Sequence, residues 1–402
     1  MTTDDYVEGD TVDVTVGAPA HGGHCVARIG GEHGRVVFVR HALPGERVTA
    51  EITERRQGYL RADAIEVHQG SPDRVTPPCP WARPHACGGC DLQHVADQAQ
   101  LDWKATVVRE QLARMAHLDA AAIDRLDVRV RRLPGGTLGW RSRVRYAVDA
   151  ADRPGLLQHR SHQVVPIDRC RIAHPVIQEL EITARSWPDA TSIEAVASSG
   201  GDVSVLADDR LVTGPPEVRE IAAGREWRVP PEGFWQVHPA AADTLVTAVL
   251  DLLRPAPGEI SWDLYGGAGL FAAALAGRTG ARTTVVESAP AGVAAARHNL
   301  ADLPGVEVVA AKVDVALSRR RVSAPVDLVV LDPPRTGAGA RVVRAIAAAR
   351  PRAVAYAACD PVALARDVVT FGEQGYRLAA LRAYDCFPMT QHVECVALFE
   401  SG

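Results

Sequence analysis

Cys359 lies in Tyr356-Ala357-Ala358-Cys359-Asp360-Pro361, 27 residues after the aspartate of Asp332-Pro333-Pro334-Arg335 and 35 before Glu394. A thiolate is a strong nucleophile, and one that follows a nucleotide-cofactor fingerprint and an Asp-Pro-Pro-Arg strand end could activate a sluggish carbon covalently. Upstream, an apolar run enters Asp263-Leu264-Tyr265-Gly266-Gly267-Ala268-Gly269 and then a helix-like segment from Leu270. Glycines such as Gly267 let the backbone approach a ligand closely at a helix N-terminus. A second apolar run ends at Glu287, placed to accept hydrogen bonds from a ribose diol. The D-x-Y-G-G-A-G spacing fits S-adenosylmethionine better than the G-x-G-x-x-G of nicotinamide enzymes. Methyl transfer to a carbon needing covalent activation is the chemistry these residues point to.

The elements that must position them follow from hydrophobic periodicity. Residues 260–265, 283–287, 309–313, 326–331 and 354–357 read as strands, with Tyr265, Glu287, Asp314, Asp332 and Cys359 at or just past their C-terminal ends. That is where ligands bind in open α/β sheets, so a Rossmann-like α/β fold is expected over 231–402.

Three of the eight cysteines, Cys79, Cys87 and Cys90, fall within twelve residues with Gly88-Gly89 between the last two. In a long chain without a secretory leader such spacing indicates metal or catalysis more than disulfides. A four-thiolate centre lacks one ligand here, and Cys170 is the best remaining candidate by elimination, with His85 and His94 as alternatives. Zinc and a [4Fe-4S] cluster both suit four thiolates, and spacing does not choose between them. Cys25, Cys386 and Cys395 are expected to be structural.

At the N-terminus, residues 11–16, 35–39, 46–54 and 60–67 read as short strands between glycine turns, an OB-like β-barrel. The phrases His24-Cys25-Val26-Ala27-Arg28-Ile29-Gly30 and Ala42-Leu43-Pro44-Gly45-Glu46 resemble a TRAM domain, an RNA-binding barrel. Residues 95–118 carry a helical stripe of Leu101, Val108, Leu112 and Met115. Arg141, Arg143 and Arg145 would share one face of a strand, a stripe suited to phosphate contact. Three units are expected: a barrel over 1–69, a central α+β domain over 70–230 and a methyltransferase domain over 231–402.

Taken together, the chain resembles the RNA uracil-5 methyltransferase family. The shared motifs are the barrel, the cysteines with Cys170, Phe234-Trp235-Gln236-Val237, the Asp263–Gly269 loop, Asp332-Pro333-Pro334-Arg335-Thr336-Gly337, Cys359-Asp360-Pro361 and the segment from Phe387 to Glu394. The resemblance implies Cys359 as nucleophile, Glu394 as base, and Gln236, Tyr265, Glu287, Asp314 and Asp332 as S-adenosylmethionine contacts. It also implies a [4Fe-4S] cluster on Cys79, Cys87, Cys90 and Cys170, with structured RNA as partner, ribosomal RNA favoured over tRNA. The chain departs from the family at Ala358, Asp360 and Ala363, where serine, asparagine and threonine are usual, and at Leu270. Asp360 is expected to place a negative charge beside the thiol. These departures motivate the alternative of a catalytically silent RNA-binding or RNA-folding protein.

Composition bounds the rest. With 402 residues, 47% hydrophobic and 23% charged, the chain has material for two or three conventional cores. A net charge of −5 argues against broad electrostatic binding, so any RNA contact must rest on local patches. No leader-like start and no bilayer-length apolar run is read, so a cytoplasmic monomer without membrane contact is expected.

Overall fold

The computed structural model describes residues 6–31, 33–322 and 324–402. The start Met1-Thr2-Thr3-Asp4-Asp5, read above for a leader and as the beginning of the barrel, lies outside the described residues. Among those described, no helix is long and apolar enough to cross a membrane.

Six strands form the N-terminal sheet, in the order Thr11–Thr15, Arg47–Arg55, Tyr59–Gln69, Arg35–Arg40, His24–Ile29, Pro19–Ala20. Alternation decides which face is inside: Val12 and Val14 are buried while Thr11, Asp13 and Thr15 face solvent. A second six-stranded sheet, all antiparallel, is built from Val164–Pro166, Pro154–Leu157, Arg143–Val148, Ser192–Ala197, Val203–Ala207 and Arg210–Thr213. The basic stripe expected here is only partly available. Arg143 is buried, held by Glu220 at 3.1 Å and by the carbonyls of Pro231 and Gly233. Arg145 is exposed and lies 3.4 Å from Asp209, and Arg141 lines a cavity described below. A buried guanidinium wants fixed acceptors, and Glu220 supplies one.

The C-terminal sheet has eight strands in the order Val306–Ala310, Thr283–Glu287, Ser261–Leu264, Leu328–Leu331, Ala353–Ala358, Glu394–Ser401, Tyr376–Asp385, Val130–Arg132. The first five are parallel and Glu394–Ser401 is antiparallel to its neighbours. Leu328 and Val330 enter the core on one face, Val329 and Leu331 the core on the other. This is why the run is continuously apolar: helices cover both sides, and each such side chain contributes about 1.5–3 kcal/mol. Strand order reverses beside Ser261–Leu264, because the chain leaves it toward Thr283–Glu287 and later returns on its other side. That switch point opens the ligand crevice.

Two expectations need correction. Residues 309–313 are not a strand running to Asp314; the strand ends at Ala310, and Asp314 sits in the first turn of the helix Val313–Ser318. An acidic residue in a first turn is favoured by the helix dipole. The helix Asp97–Arg114 buries Val108 and Leu112 as expected, but Met115 is exposed and Gln100, Lys104 and Gln111 are buried instead. This helix packs on Pro361–Glu373 and on Val130–Arg132, so its inner face meets polar groups of the C-terminal sheet.

Candidate active site

Register brings the chemistry together. Ala358 pairs with Cys395 and Tyr356 with Ala397 in the antiparallel ladder, which carries Cys359 level with Glu394 one step further on. Leu331 pairs with Tyr356 on the other side, so Asp332 emerges at the same edge. All three line a cavity of about 1180 Å³. Gln236, Tyr265, Gly267, Glu287 and Asp314 line it too, so every residue expected to contact the methyl donor or perform catalysis faces one space.

The glycine loop is shaped by close approach. A Cβ on Gly266 would lie 2.5 Å from Val285 Cγ1, and Gly269, at φ +96°, would meet Leu300 at 2.6 Å. Tyr265 adopts a left-handed φ of +63°, uncommon for a bulky residue and a frequent mark of ligand sites. Asp263 braces the turn: its Oδ2 accepts the Ala272 N–H at 2.8 Å, while Oδ1 is buried without a partner. Burial pushes that carboxyl up to about 7. Glu287 accepts N–H bonds from Gly267, Ser288 and Ala289, which fix its carboxylate at the cavity wall. Asp314 lies 3.2 Å from Arg341.

Cys359, Glu394 and Asp332 form a cluster of acids. Burial and then the Asp332 charge hold the Glu394 carboxyl well above its ordinary range, and burial raises Asp332 also. The Cys359 thiol is pushed up to about 12, chiefly by burial, then by Glu394 and Asp332, with the Arg335 guanidinium opposing. Asp360 raises it too, less than those groups. The Asp360 carboxylate is otherwise engaged: Oδ1 caps the helix Pro361–Glu373 through Val362 N at 2.8 Å and Ala363 N at 2.9 Å, and Oδ2 lies 3.3 Å from His21 Nε2 of the barrel.

Sequence reasoning assigned no definite role to the groups that set the loop before Glu394. Arg335 Nη2 lies 3.4 Å from His392 Nε2, and His392 Nδ1 lies 3.1 Å from the Gln391 side-chain amide. Arginine can only donate, so His392 Nε2 is the acceptor in its contact with Arg335. Burial and the neighbouring Arg335 push His392 down to about 3, so it is neutral. Lys104 Nζ donates to Asp385 Oδ1 at 2.5 Å and to the Phe387 carbonyl at 3.0 Å, with both charged side chains fully buried. A signal existed in the sequence: Lys104 falls on the helical stripe between Leu101 and Val108.

Cys79, Cys87, Cys90 and Cys170 line one small cavity. As they stand, no three His, Cys, Asp or Glu side chains among the described residues are gathered tightly enough to hold a metal ion. The donor set nevertheless suits a thiolate-bound centre. Four thiols share one space, the Gly89 N–H points at Cys87 Sγ at 3.4 Å, and a Cβ on Gly88 would lie 2.4 Å from His159 N, so only glycine permits this turn. Burial raises Cys87 to about 11 and raises Cys90 and Cys170 as well. Thiols so raised stay protonated until a cation displaces the protons. His85 and His94 are not part of that lining.

Comparison with known proteins agrees with this arrangement. Residues 7–65 match the TRAM domain and residues 217–401 the tRNA (Uracil-5-)-methyltransferase family. An RNA methyltransferase of Streptomyces avermitilis is 46% identical, with 98% of each chain covered. The 23S rRNA (uracil(1939)-C(5))-methyltransferase RlmD of Shewanella amazonensis is 30% identical over 94% of this chain and 93% of its own. The crystal structure of Pyrococcus abyssi tRNA (uracil-54, C5)-methyltransferase with S-adenosyl-L-homocysteine superposes with a TM-score of 0.71 at 22% identity, covering 96% of this chain and all of that one. A mixed sheet whose switch point opens a ligand crevice, a TRAM barrel and near full-length likeness to RNA-modifying relatives place the chain in the RNA uracil-5 methyltransferase family, and it is an RNA methyltransferase.

Proposed function

We propose that the protein methylates C5 of a uridine in structured RNA, 23S rRNA in preference to tRNA, from S-adenosylmethionine. The observation that carries this reading is the register placing Cys359 level with Glu394, beside Asp332, in the cavity whose other wall is the glycine loop. The rRNA preference is supported by likeness to the Shewanella amazonensis enzyme.

Cys359 Sγ adds to C6 of the base, and the C5–C6 π electrons move onto the ring as an enolate. The Arg335 charge favours the thiolate needed for that step. Bound S-adenosylmethionine would supply an electrophilic methyl group for C5 and leave as S-adenosylhomocysteine, and Gln236, Tyr265, Gly267, Glu287, Asp314 and Asp332 would hold it. Glu394 then takes the proton from the methylated C5, the C6–S bond breaks, and the C5–C6 double bond and free thiolate return. The base must leave its stack to reach both groups. Cys79, Cys87, Cys90 and Cys170 would hold a [4Fe-4S] cluster, zinc being the alternative. The division into units over 1–69, 70–230 and 231–402, and a cytoplasmic, monomeric protein, belong to the same reading.

The test uses S-adenosylmethionine and a 5-fluorouridine-substituted rRNA fragment, in which C5 carries no proton to remove. A complex stable to denaturation is expected with the wild-type protein and not with Cys359→Ala, which still binds RNA. Absence of a complex with every RNA fraction would refute the covalent route. Mapping 5-methyluridine in a strain lacking the gene then identifies the nucleotide.

A further inference from the structure

A second cavity, of about 420 Å³, opens between the barrel and the cysteine segment. It shares no lining residue with the catalytic cavity. Its walls carry five arginines (Arg40, Arg56, Arg61, Arg83 and Arg160) against two carboxylates, Glu54 and Asp63, an excess of three positive charges on a chain of net charge −5. Glu54 gathers Arg56, Arg61 and, at 3.4 Å, Arg160, while Arg40 lies 3.8 Å from Asp63 and 3.4 Å from Asp91, which is outside the lining. These carboxylates do not satisfy the donors. Four buried nitrogens of the lining residues lack a hydrogen-bond partner: Nε of Arg40, Nε of Arg61, and Nε2 of His24 and His159.

Burying a polar group without a partner is costly, and more so when it is charged, so four around one polar cavity mark a place for an acceptor. Three chain segments converge on it. Arg61 comes from the strand Tyr59–Gln69, Arg40 from Arg35–Arg40, and Arg160 from a turn after Pro154–Leu157 where its own φ is +52°. Donors arriving from several directions at a positive site suit a tetrahedral anion with several acceptor oxygens better than a planar carboxylate.

We propose that this cavity seats one phosphate group, held by Arg40, Arg61, Arg160, His24 and His159. The group belongs either to the backbone of bound RNA or to free phosphate, and the two sources are separable by experiment. The full-length protein is compared with Arg160→Gln and with Arg61→Gln/Arg160→Gln; Arg160 is exposed, so the single variant keeps the fold. Inorganic phosphate, against chloride at equal ionic strength, is expected to raise the wild-type melting temperature by about a few degrees at saturation and the double variant much less. If the phosphate belongs to RNA, the slope of log affinity for an rRNA fragment against log salt concentration falls by about one in the double variant. Loss of phosphate stabilisation with an unchanged slope assigns the free anion. A wild-type protein indifferent to phosphate, together with a variant of unchanged slope, overturns the proposal. None of these readouts depends on methyl transfer, so they stand or fall apart from the covalent mechanism.

Discussion

On the proposed mechanism, replacing Glu394 by glutamine separates addition of the thiol from removal of the C5 proton. The side chain is 3% exposed, and its charge is the largest contribution after burial to the raised Cys359 thiol. The amide keeps the shape and deletes both the charge and the basicity. With the thiol near 12, only about one molecule in 10⁵ carries a thiolate at neutral pH, and the fraction grows about tenfold per pH unit below that value. Wherever Glu394 is ionised, Glu394→Gln removes a like charge, so addition should be at least as fast as in the wild type. Proton abstraction loses its general base, which slows release by about 10²–10⁴-fold. The assay is a denaturing gel with ordinary uridine RNA and S-adenosylmethionine, read beside multiple-turnover formation of 5-methyluridine. The variant is expected to accumulate a covalent complex that the wild type passes through, while its turnover falls by that factor. If it binds RNA and S-adenosylmethionine normally yet forms no complex, Glu394 acts before the thiol adds, and the assignment of the base is wrong.

Other outcomes follow from the same geometry. The folded Glu394 holds its proton above the ordinary 4.5, so the folded state binds more protons than the unfolded one and the group loses stability as pH rises above that value. The melting temperature of Glu394→Gln minus that of wild type should therefore grow as pH rises above 4.5, and a pH-independent difference would contradict the burial argument. Asp360→Asn keeps the cap and removes a minor charge, so melting should shift by less than about 0.5 kcal/mol and adduct formation by less than tenfold, whereas Asp360→Ala costs about 1 kcal/mol by urea denaturation. Lys104→Met leaves Asp385 buried without its lysine and should cost about 3–5 kcal/mol, with partial recovery when Asp385→Asn is added. Anaerobically prepared protein should show visible sulfur-to-iron absorption that Cys87→Ser abolishes, and zinc by elemental analysis in its place would remove the iron–sulfur reading.

Much of the C-terminal sheet was legible because its strands are buried on both faces and so read as unbroken apolar runs, as in Leu328–Leu331. The strand ends located Tyr265, Glu287, Asp332 and Cys359, since a parallel sheet gathers its C-terminal ends. Asp314 misled because Val313, buried under its own helix, looks like the end of a strand. The partnership of Cys359 with Glu394 was visible only as a resemblance; its physical basis is an antiparallel register that no local pattern encodes. Arg143 shows the converse limit. A period-two arginine stripe cannot reveal that Glu220, 77 residues on, claims one member for the interior.

One seam gives the cysteine segment a wider significance. Asp91, next to Cys90, accepts the Gln391 N–H at 3.1 Å with one carboxylate oxygen and faces Arg40 at 3.4 Å with the other. Leu92 N donates to the Met389 carbonyl at 2.9 Å. The peptide that ends in Glu394 is thus sewn to a stretch 300 residues away in sequence. Order in the loop before Glu394 is borrowed from the cysteine segment, so on the proposed mechanism damage to that segment would be felt at the base.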